Sequence, residues 1–544
     1  MLARSHNLGA ALLLAPLLLL LAVAYGIPFL GVMRWSFTLP EPGLAQYLTV
    51  FTDPLVQSVF VRTARICALV TVTAVAAAYA IAYVWVRGTP GQRLIAEYCI
   101  LVPFWISVLT RAFGWVALLS NRGLINSWLQ SLGILGEPLA LVRNEFGVVV
   151  GMTHFLIPFA VFPIASAMRA VDERVLLAAR GLGASRTRTF WSVFVPLTMS
   201  GIIGAALIVF VFALGFFVTP AILGGGRSVM VAELVYLRIF QSPDWGSWCC
   251  HQRDPRPDRR PADGSPVPVF AVFPDGRLKM SAYRPGPLAL FFASVVIIFL
   301  LMPLLAVVPV SFTPSRMLSM PAGELSIRHY RALFEDPRWL DSILLSLRVG
   351  LVSSVLATLF ALTFSLGIWM FRPRFTAVLV GFVLLPMIVP PVVSAITLYF
   401  LLTSMSNIGS MIGYDTWLGV VLAHVVVTVP FAVVLILVSL GQVDRRIDLA
   451  ARGLGASTWE RATKVIIPNI KFGIAAAWLL SFVLSWEEIG VTLFITSVNA
   501  ITLPRLMWMG LRDNIDPAIA AISVILILIT VTAMTIRIFF ARSR

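Results

Sequence analysis

Two adjacent carboxylates, Glu487 and Glu488, stand inside an otherwise apolar run near 474 to 496. An ionised carboxylate at such depth is costly unless it lines a water-filled cavity or meets a positive partner. Two readings therefore stand side by side: contact with a cationic substrate, or an ion pair with an arginine such as Arg348 or Arg111. Trp105, Trp115 and Trp486 could offer cation-π faces along the same pathway, although aromatics near membrane boundaries more often act as interfacial anchors. His154 and His424 have no companions at metal-ligand spacing, so packing or an interhelical hydrogen bond is the expected role. No nucleophile, acid/base pair or metal cluster emerges, and no GxxxxGK[ST] phosphate loop is present. An enzyme is disfavoured on these grounds, and neither a metal nor a cofactor is expected.

The elements that would hold these groups are set by composition. Of the 544 residues, 59% are hydrophobic and 12% charged, with a mean hydropathy of +0.93. That is more apolar surface than a soluble core of this size can hide, so a bilayer must act as solvent. The net charge of +16 does not point to nucleic acid, because the basic residues sit in short segments between apolar runs and not in a patch with interleaved aromatics. The four cysteines form no disulfide framework. The first apolar run, from about Leu8 to Met33, is longer than a signal-peptide core and reads as a retained first span.

Runs long enough to cross roughly 30 Å of hydrocarbon as helix fall near 9 to 32, 63 to 86, 94 to 119, 147 to 168 and 201 to 224. A second series lies near 286 to 311, 343 to 370, 376 to 402, 419 to 440, 474 to 496 and 517 to 540. The expected fold is all-α and polytopic, with five clear spans and then six. Connectors after the second and fourth spans of each series carry most of the arginines, among them Arg87, Arg174, Arg180, Arg372, Arg446 and Arg452. By the positive-inside bias these connectors face the cytoplasm.

A repeat organises the chain. Leu177-Ala-Ala-Arg-Gly-Leu-Gly-Ala-Ser185 recurs as Leu449-Ala-Ala-Arg-Gly-Leu-Gly-Ala-Ser457, and Pro196 recurs as Pro468 at the same separation of 272 residues. Both copies must lie on one side of the membrane, so the repeats are parallel rather than inverted. Within each copy, Asp172 or Asp444 is suited to cap a short helix. Ala178 and Ala179, like Ala450 and Ala451, leave its face open to close approach. Gly181 and Gly183, like Gly453 and Gly455, can end it in a left-handed turn, and Ser457 to Glu460 reads as a capping box for the next helix. Such a motif is either an ordinary connector or a dock for another protein's groove, and two copies at a fixed separation favour the dock.

The loops resemble the EAA loop of binding-protein-dependent ABC importer permeases, in which Glu-Ala-Ala is followed after three residues by Gly and after nine more by Ile-x-Leu-Pro. Here Ala178-Ala179 leads to Gly183 and Val193-x-Val195-Pro196, and Ala450-Ala451 leads to Gly455 and Val465-x-Ile467-Pro468. The glutamate is replaced by Leu177 and Leu449. The resemblance implies two units of a type I importer transmembrane domain whose loops dock on separate ABC ATPase subunits, expected in two copies. It also implies an external solute-binding protein and a multi-pass inner-membrane location. Pro103-Phe-Trp105, Arg111 to Trp115, Gly123 to Asn126, Pro386 to Pro391 and Ser485 to Ile495 are similar to the paired permeases of spermidine/putrescine-type systems. The implied solute is a polyamine; ferric iron, a phosphonate or another small anion are the alternatives, and a secondary transporter is a more distant one.

Strict alternation of spans leaves one conflict. After five spans the chain is outside, yet the second loop must return to the cytoplasm, and Ser247 to Arg260 is too charged and proline-rich to cross as lipid-exposed helix. Read one nucleotide later, codons for Trp248 to Asp254 permit Gly, Ala, Ala, Ile, Ser, Val, Ile, against Ala520 to Ile525 in the sixth span of the second series. The expectation is a first permease unit over 1–246 that has lost its sixth helix, an aberrant polar linker over 247–279 of frameshift origin, and a second unit over 280–544. The alternative is a genuine linker in a naturally fused permease.

Overall fold

A computed structural model describes residues 2–38, 42–241, 284–315, 321, 324–513 and 516–542. The linker over 247–279, with its frameshift reading, lies outside the described residues. Helix dominates, and no strand occurs among the described residues. Among the described residues six helices are long and apolar enough to cross a membrane: Gly9–Thr38, Pro54–Arg87, Glu145–Ala170, Pro287–Ser311, Pro337–Phe371 and Trp417–Gly441.

Four of the expected spans are not straight. The run near 94 to 119 is split into Pro90–Phe104 and a segment from Val108, bent by 100°, and the run near 376 to 402 into Thr376–Ile388 and Pro391–Ser406, bent by 97°. The physical reason is local. Ser107 leaves helical geometry and its hydroxyl accepts the Leu109 N–H, starting a new helix. Pro390 and Pro391 have no N–H with which to continue the old one. The runs near 201 to 224 and 474 to 496 are each interrupted, Met199–Leu214 from Val218–Leu223 and Lys471–Glu487 from Thr492–Ile495, and bends of 60° and 76° at Thr198 and Ile470 separate them from the helices before them. Each is preceded by a π-helical widening, Phe190–Phe194 and Arg461–Ile466, next to Pro196 and Pro468. Hydropathy alone cannot distinguish the 100° and 97° bends from straight crossings, because the runs on both sides of those two breaks are apolar.

The helices form two compact units, each drawing on both series. The unit that holds Glu488 comprises the described parts of Met1–Asp53, Tyr236–Val272 and Asp341–Leu506. In it the first helix packs on the second series: Tyr25 hydrogen-bonds Ser394 at 2.9 Å, and Trp35 meets Phe400 edge-on at 4.5 Å. The unit that holds His154 comprises Pro54–Val235, Met507–Arg544 and the segment from Phe273 to Leu340, again in their described parts. Its core of Ile66, Val70, Met152, Leu156, Ile164, Val209 and Leu300 is fully buried. There Gly114 lets helix Val108–Leu119 approach Pro287–Ser311 so closely that a Cβ would stand 2.4 Å from the Pro303 carbonyl oxygen. Thr110 of the same helix and Ser523 of Ala518–Arg542 share a buried hydrogen bond of 2.9 Å.

Candidate docking loops and pathway residues

The two repeated loops fold the same way atom by atom. Asp172 accepts the Arg174 N–H at 2.9 Å and opens the helix Glu173–Gly181; Asp444 accepts the Arg446 N–H at 2.9 Å and opens Arg445–Gly453. Each helix closes through the same set of bonds, Leu182 N to Ala178 O at 3.0 Å and Ala184 N to Ala179 O at 3.1 Å, mirrored by Leu454 to Ala450 and Ala456 to Ala451 at the same lengths. The chain then turns through Gly183 at φ +88° and Gly455 at φ +83°, a region a side chain enters only with strain. Gly181 and Gly453 end their helices without left-handed geometry, so only the second glycine of each pair makes the turn. Ser185 and Ser457 accept the N–H three residues on and start the following helix, and Glu460 completes the capping box by accepting the Ser457 N–H at 3.1 Å. Hydrogen bonds from Lys464 and from Ser457 hold the exposed Glu460 carboxyl down to about 2.

What each loop presents follows from this geometry. Ala178 and Ala450 are exposed, with Ala179 and Ala451 half-buried beside them. Leu182 and Leu454 are 91% and 90% exposed at the turn, and Leu177 and Leu449 stand out from the helix where the motif's glutamate would be. An apolar, small-residue face of this kind has no internal use. The leucine tips were not singled out in the sequence; their signal was their place between two glycines, where a loop that only turns would carry polar residues.

Beneath the repeated loops the copies differ. Under the first, Arg87 is buried and meets Glu173 at 2.6 Å while its guanidinium lies 5.5 Å over Phe194. Under the second, Arg445 occupies the position of Glu173 and lies 4.9 Å over the Trp369 ring. There Asp448 accepts from Arg461 through both oxygens, at 2.8 and 2.6 Å, tying the short helix to the π-helical turn. The same register holds Leu176 and Thr189 in the first copy, both buried.

The pathway candidates fall in both units. Glu487 ends the helix Lys471–Glu487, and Glu488 begins the non-helical step to Thr492–Ile495, its Oε1 accepting the Val491 N–H at 2.8 Å; both are half-buried. Trp486 stacks on Phe482 at 6.1 Å. A buried polar chain supports this break. His424 Nδ1 lies 2.8 Å from Ser485 and Nε2 lies 3.0 Å from Thr492, whose hydroxyl donates to the Glu488 carbonyl. Since Thr492 spends its proton there, Nε2 carries the histidine proton and Nδ1 accepts from Ser485. In the other unit, Trp105 caps the bend after Phe104, half-buried, whereas Trp115 is 2% exposed and packs between His154 and Phe299. His154 donates to the Leu300 carbonyl at 2.9 Å. Both histidines therefore join helices, as their isolation in sequence implied. Among the described residues no group of three His, Cys, Asp or Glu is placed to hold a metal.

With this geometry in view, similarity to known proteins becomes informative. A family profile described as "Binding-protein-dependent transport system inner membrane component" matches residues 92–248 and 360–544. The spermidine/putrescine transport system permease protein PotB of Haemophilus influenzae is 31% identical over 232 residues, covering 43% of this chain and 79% of that protein. PotB of Escherichia coli K12 is 30% identical over 197 residues, covering 36% and 72%. The putrescine transport system permease protein PotI of the same organism is 28% identical over 233 residues, covering 42% and 82%.

Proposed function

The chain belongs to the family of binding-protein-dependent transport system inner membrane components, and from that premise we propose that it imports a polyamine such as spermidine or putrescine. It is a multi-pass ABC importer permease carrying two permease units, and ATP hydrolysis belongs to a separate subunit. In the proposed cycle a periplasmic or extracellular solute-binding protein delivers the solute. Two ATPase subunits then act through the cytoplasmic loops around Ala178 and Ala450 to rock the two permease halves between outward-open and inward-open states.

The observation that carries the docking role is the pair of superposable loops, each ending in a leucine about nine-tenths exposed beside an uncovered alanine. Replacing Ala178 and Ala450 by Trp fills that face. The ATPase should then be lost on co-purification while the permease still inserts and folds; retention of the ATPase overturns the assignment. A secondary transporter would instead show uptake that follows an ion gradient and persists without any ATPase.

The polyamine reading is supported by the named relatives and by Glu487 and Glu488 at a helix break, where half-buried carboxylates suit an ammonium group. Competition of uptake by spermidine, putrescine and ferric iron tests it, with ferric iron alone competing as the refuting result. For residues 247–279 we propose a frameshift origin that overwrote the sixth helix of the first unit. Sequencing the DNA across codons 240 to 285 decides this, because a single clean frame with no hydrophobic alternative rules it out.

A further inference from the structure

The separation of 272 residues extends well beyond the docking loops. Arg143 and Asp415 both adopt positive φ, 61° and 57°, and their N–H groups bond the carbonyls of Leu223 and Ile495 at 2.7 and 2.9 Å. The helices Val231–Gln241 and Leu503–Asp513 begin in the same register, with Leu234 N bonded to Met230 O at 2.8 Å and Leu506 N to Thr502 O at 2.9 Å. Glu233 and Arg505 therefore occupy one structural position in two copies, with opposite charge.

In the second copy that position is filled by a tethered cation. Arg505 Nη1 donates to the Thr496 carbonyl and hydroxyl and reaches the Thr492 and Leu493 carbonyls at 3.5 Å. The preceding turn is thus a set of oxygens gathered around a positive group. In the first copy the corresponding carbonyls belong to Pro220, Ala221 and Gly224, of which Pro220 and Gly224 each accept one backbone N–H, from Gly224 at 2.8 Å and Arg227 at 3.0 Å, and keep a second lone pair; the matching side chain is a carboxylate. Glu233 is only 5% exposed. It takes the Met230 N–H, and its Oε2 has no hydrogen-bond partner among the described residues. Its place in the first turn of a helix lets the backbone dipole favour the anion, and among the described residues no cation bonds it. Arg62 and Arg65, on the helix that packs here, meet Glu145 at 3.5 and 2.5 Å, and Arg62 Nη1 also reaches the Val229 carbonyl at 3.5 Å without bonding Glu233.

We propose that Glu233 and the carbonyls of the turn before it form a cation site that accepts an ammonium group of the transported solute, the place that Arg505 fills internally in the second copy. The inference rests on the polyamine reading, and it assigns the first half a carboxylate of its own, separate from Glu487 and Glu488.

The test uses the full chain, assembled with its ATPase in lipid nanodiscs, with radiolabelled spermidine and putrescine as probes. Glu233→Gln keeps an oxygen for the Met230 N–H and removes only the charge, so a capping role alone predicts unchanged affinity. The expected result is an at least tenfold weaker affinity for both amines, with an unshifted thermal melt. Binding within twofold of wild type overturns the inference and leaves the polyamine reading standing. Failure of the wild type itself to bind either amine overturns both. A second measurement needs no variant: a lipid-soluble carbodiimide adds to the protonated Glu233 carboxyl, forming an acylurea with nothing lost, and spermidine should protect that residue as read by mass spectrometry. Equal labelling with and without spermidine also overturns the site.

Discussion

The Asp448–Arg461 pair offers the sharpest test of how the second docking loop is held. Both side chains are about nine-tenths buried, and the carboxylate accepts from Nε and Nη2 at 2.8 and 2.6 Å. Asp448→Ala leaves a buried guanidinium without its partner. Breaking such a pair costs about 3–5 kcal/mol, and the residual solvent contact places this one near about 3. Because about 1.4 kcal/mol is a factor of ten, the helix Arg445–Gly453 should open roughly 150-fold more often. Hydrogen exchange of its amides reads this directly, since the loss is local to the loop and not to the membrane core. The first copy supplies the control. Asp448→Leu combined with Arg461→Thr reproduces the buried Leu176 and Thr189 of that loop, and it should restore protection to within about 1 kcal/mol of wild type. Unchanged exchange in Asp448→Ala, or a double variant no better than the single one, would refute the reasoning.

Four further outcomes follow from the same geometry. Gly183→Ala and Gly455→Ala force a side chain into left-handed backbone and should each destabilise the loop by about 1–2 kcal/mol in the same exchange experiment. Gly181→Ala and Gly453→Ala meet nothing within 4 Å and lack positive φ, so they should be neutral or gain up to about 1 kcal/mol. Leu182→Asp with Leu454→Asp should abolish ATPase association measured by co-purification while leaving the thermal melt unchanged, because neither side chain packs against the permease. Asp415 lies in the connection before Trp417–Gly441. Burial pushes its carboxyl up, but N–H groups of Ser497, Asn499, Val498 and Ala500 outweigh this and hold it below the usual range. Its contribution is therefore complete above the unfolded value near about 3.9 and is lost as pH falls through the lower folded value. Amides of 497–500 should lose protection on acidification in the wild type, and Asp415→Asn should lose it at neutral pH and show little further acid dependence.

The docking loops were legible because every instruction they carry is local. A capping aspartate, two alanines, a glycine that must turn left and a capping serine each act within four residues, so spacing alone fixed the backbone that Asp172 to Ser185 and Asp444 to Ser457 adopt. The broken spans were not legible in the same way. The 100° and 97° bends sit inside runs whose hydropathy is continuous, and the deciding signals, a serine at 107 and the Pro390-Pro391 pair, are each compatible with a gentle kink. Nor could sequence place Trp115 in a packed core while Trp105 marks a bend, since both are aromatic residues in one apolar run and only tertiary packing separates them.

The repeat contains a second kind of information that similarity alone conceals. Where both copies keep a residue, as at the alanines and glycines of the loops, the backbone demands it in both. Where they differ in charge at matched register, the backbone is indifferent and the chemistry has been divided. Glu173 against Arg445 changes how the dock is anchored, from an ion pair with Arg87 to a ring face on Trp369. Leu176 against Asp448 changes an apolar seat into an ionic one. Arg143 against Asp415 and Glu233 against Arg505 fall beside the helix breaks, so the two copies carry opposite charge there at one register.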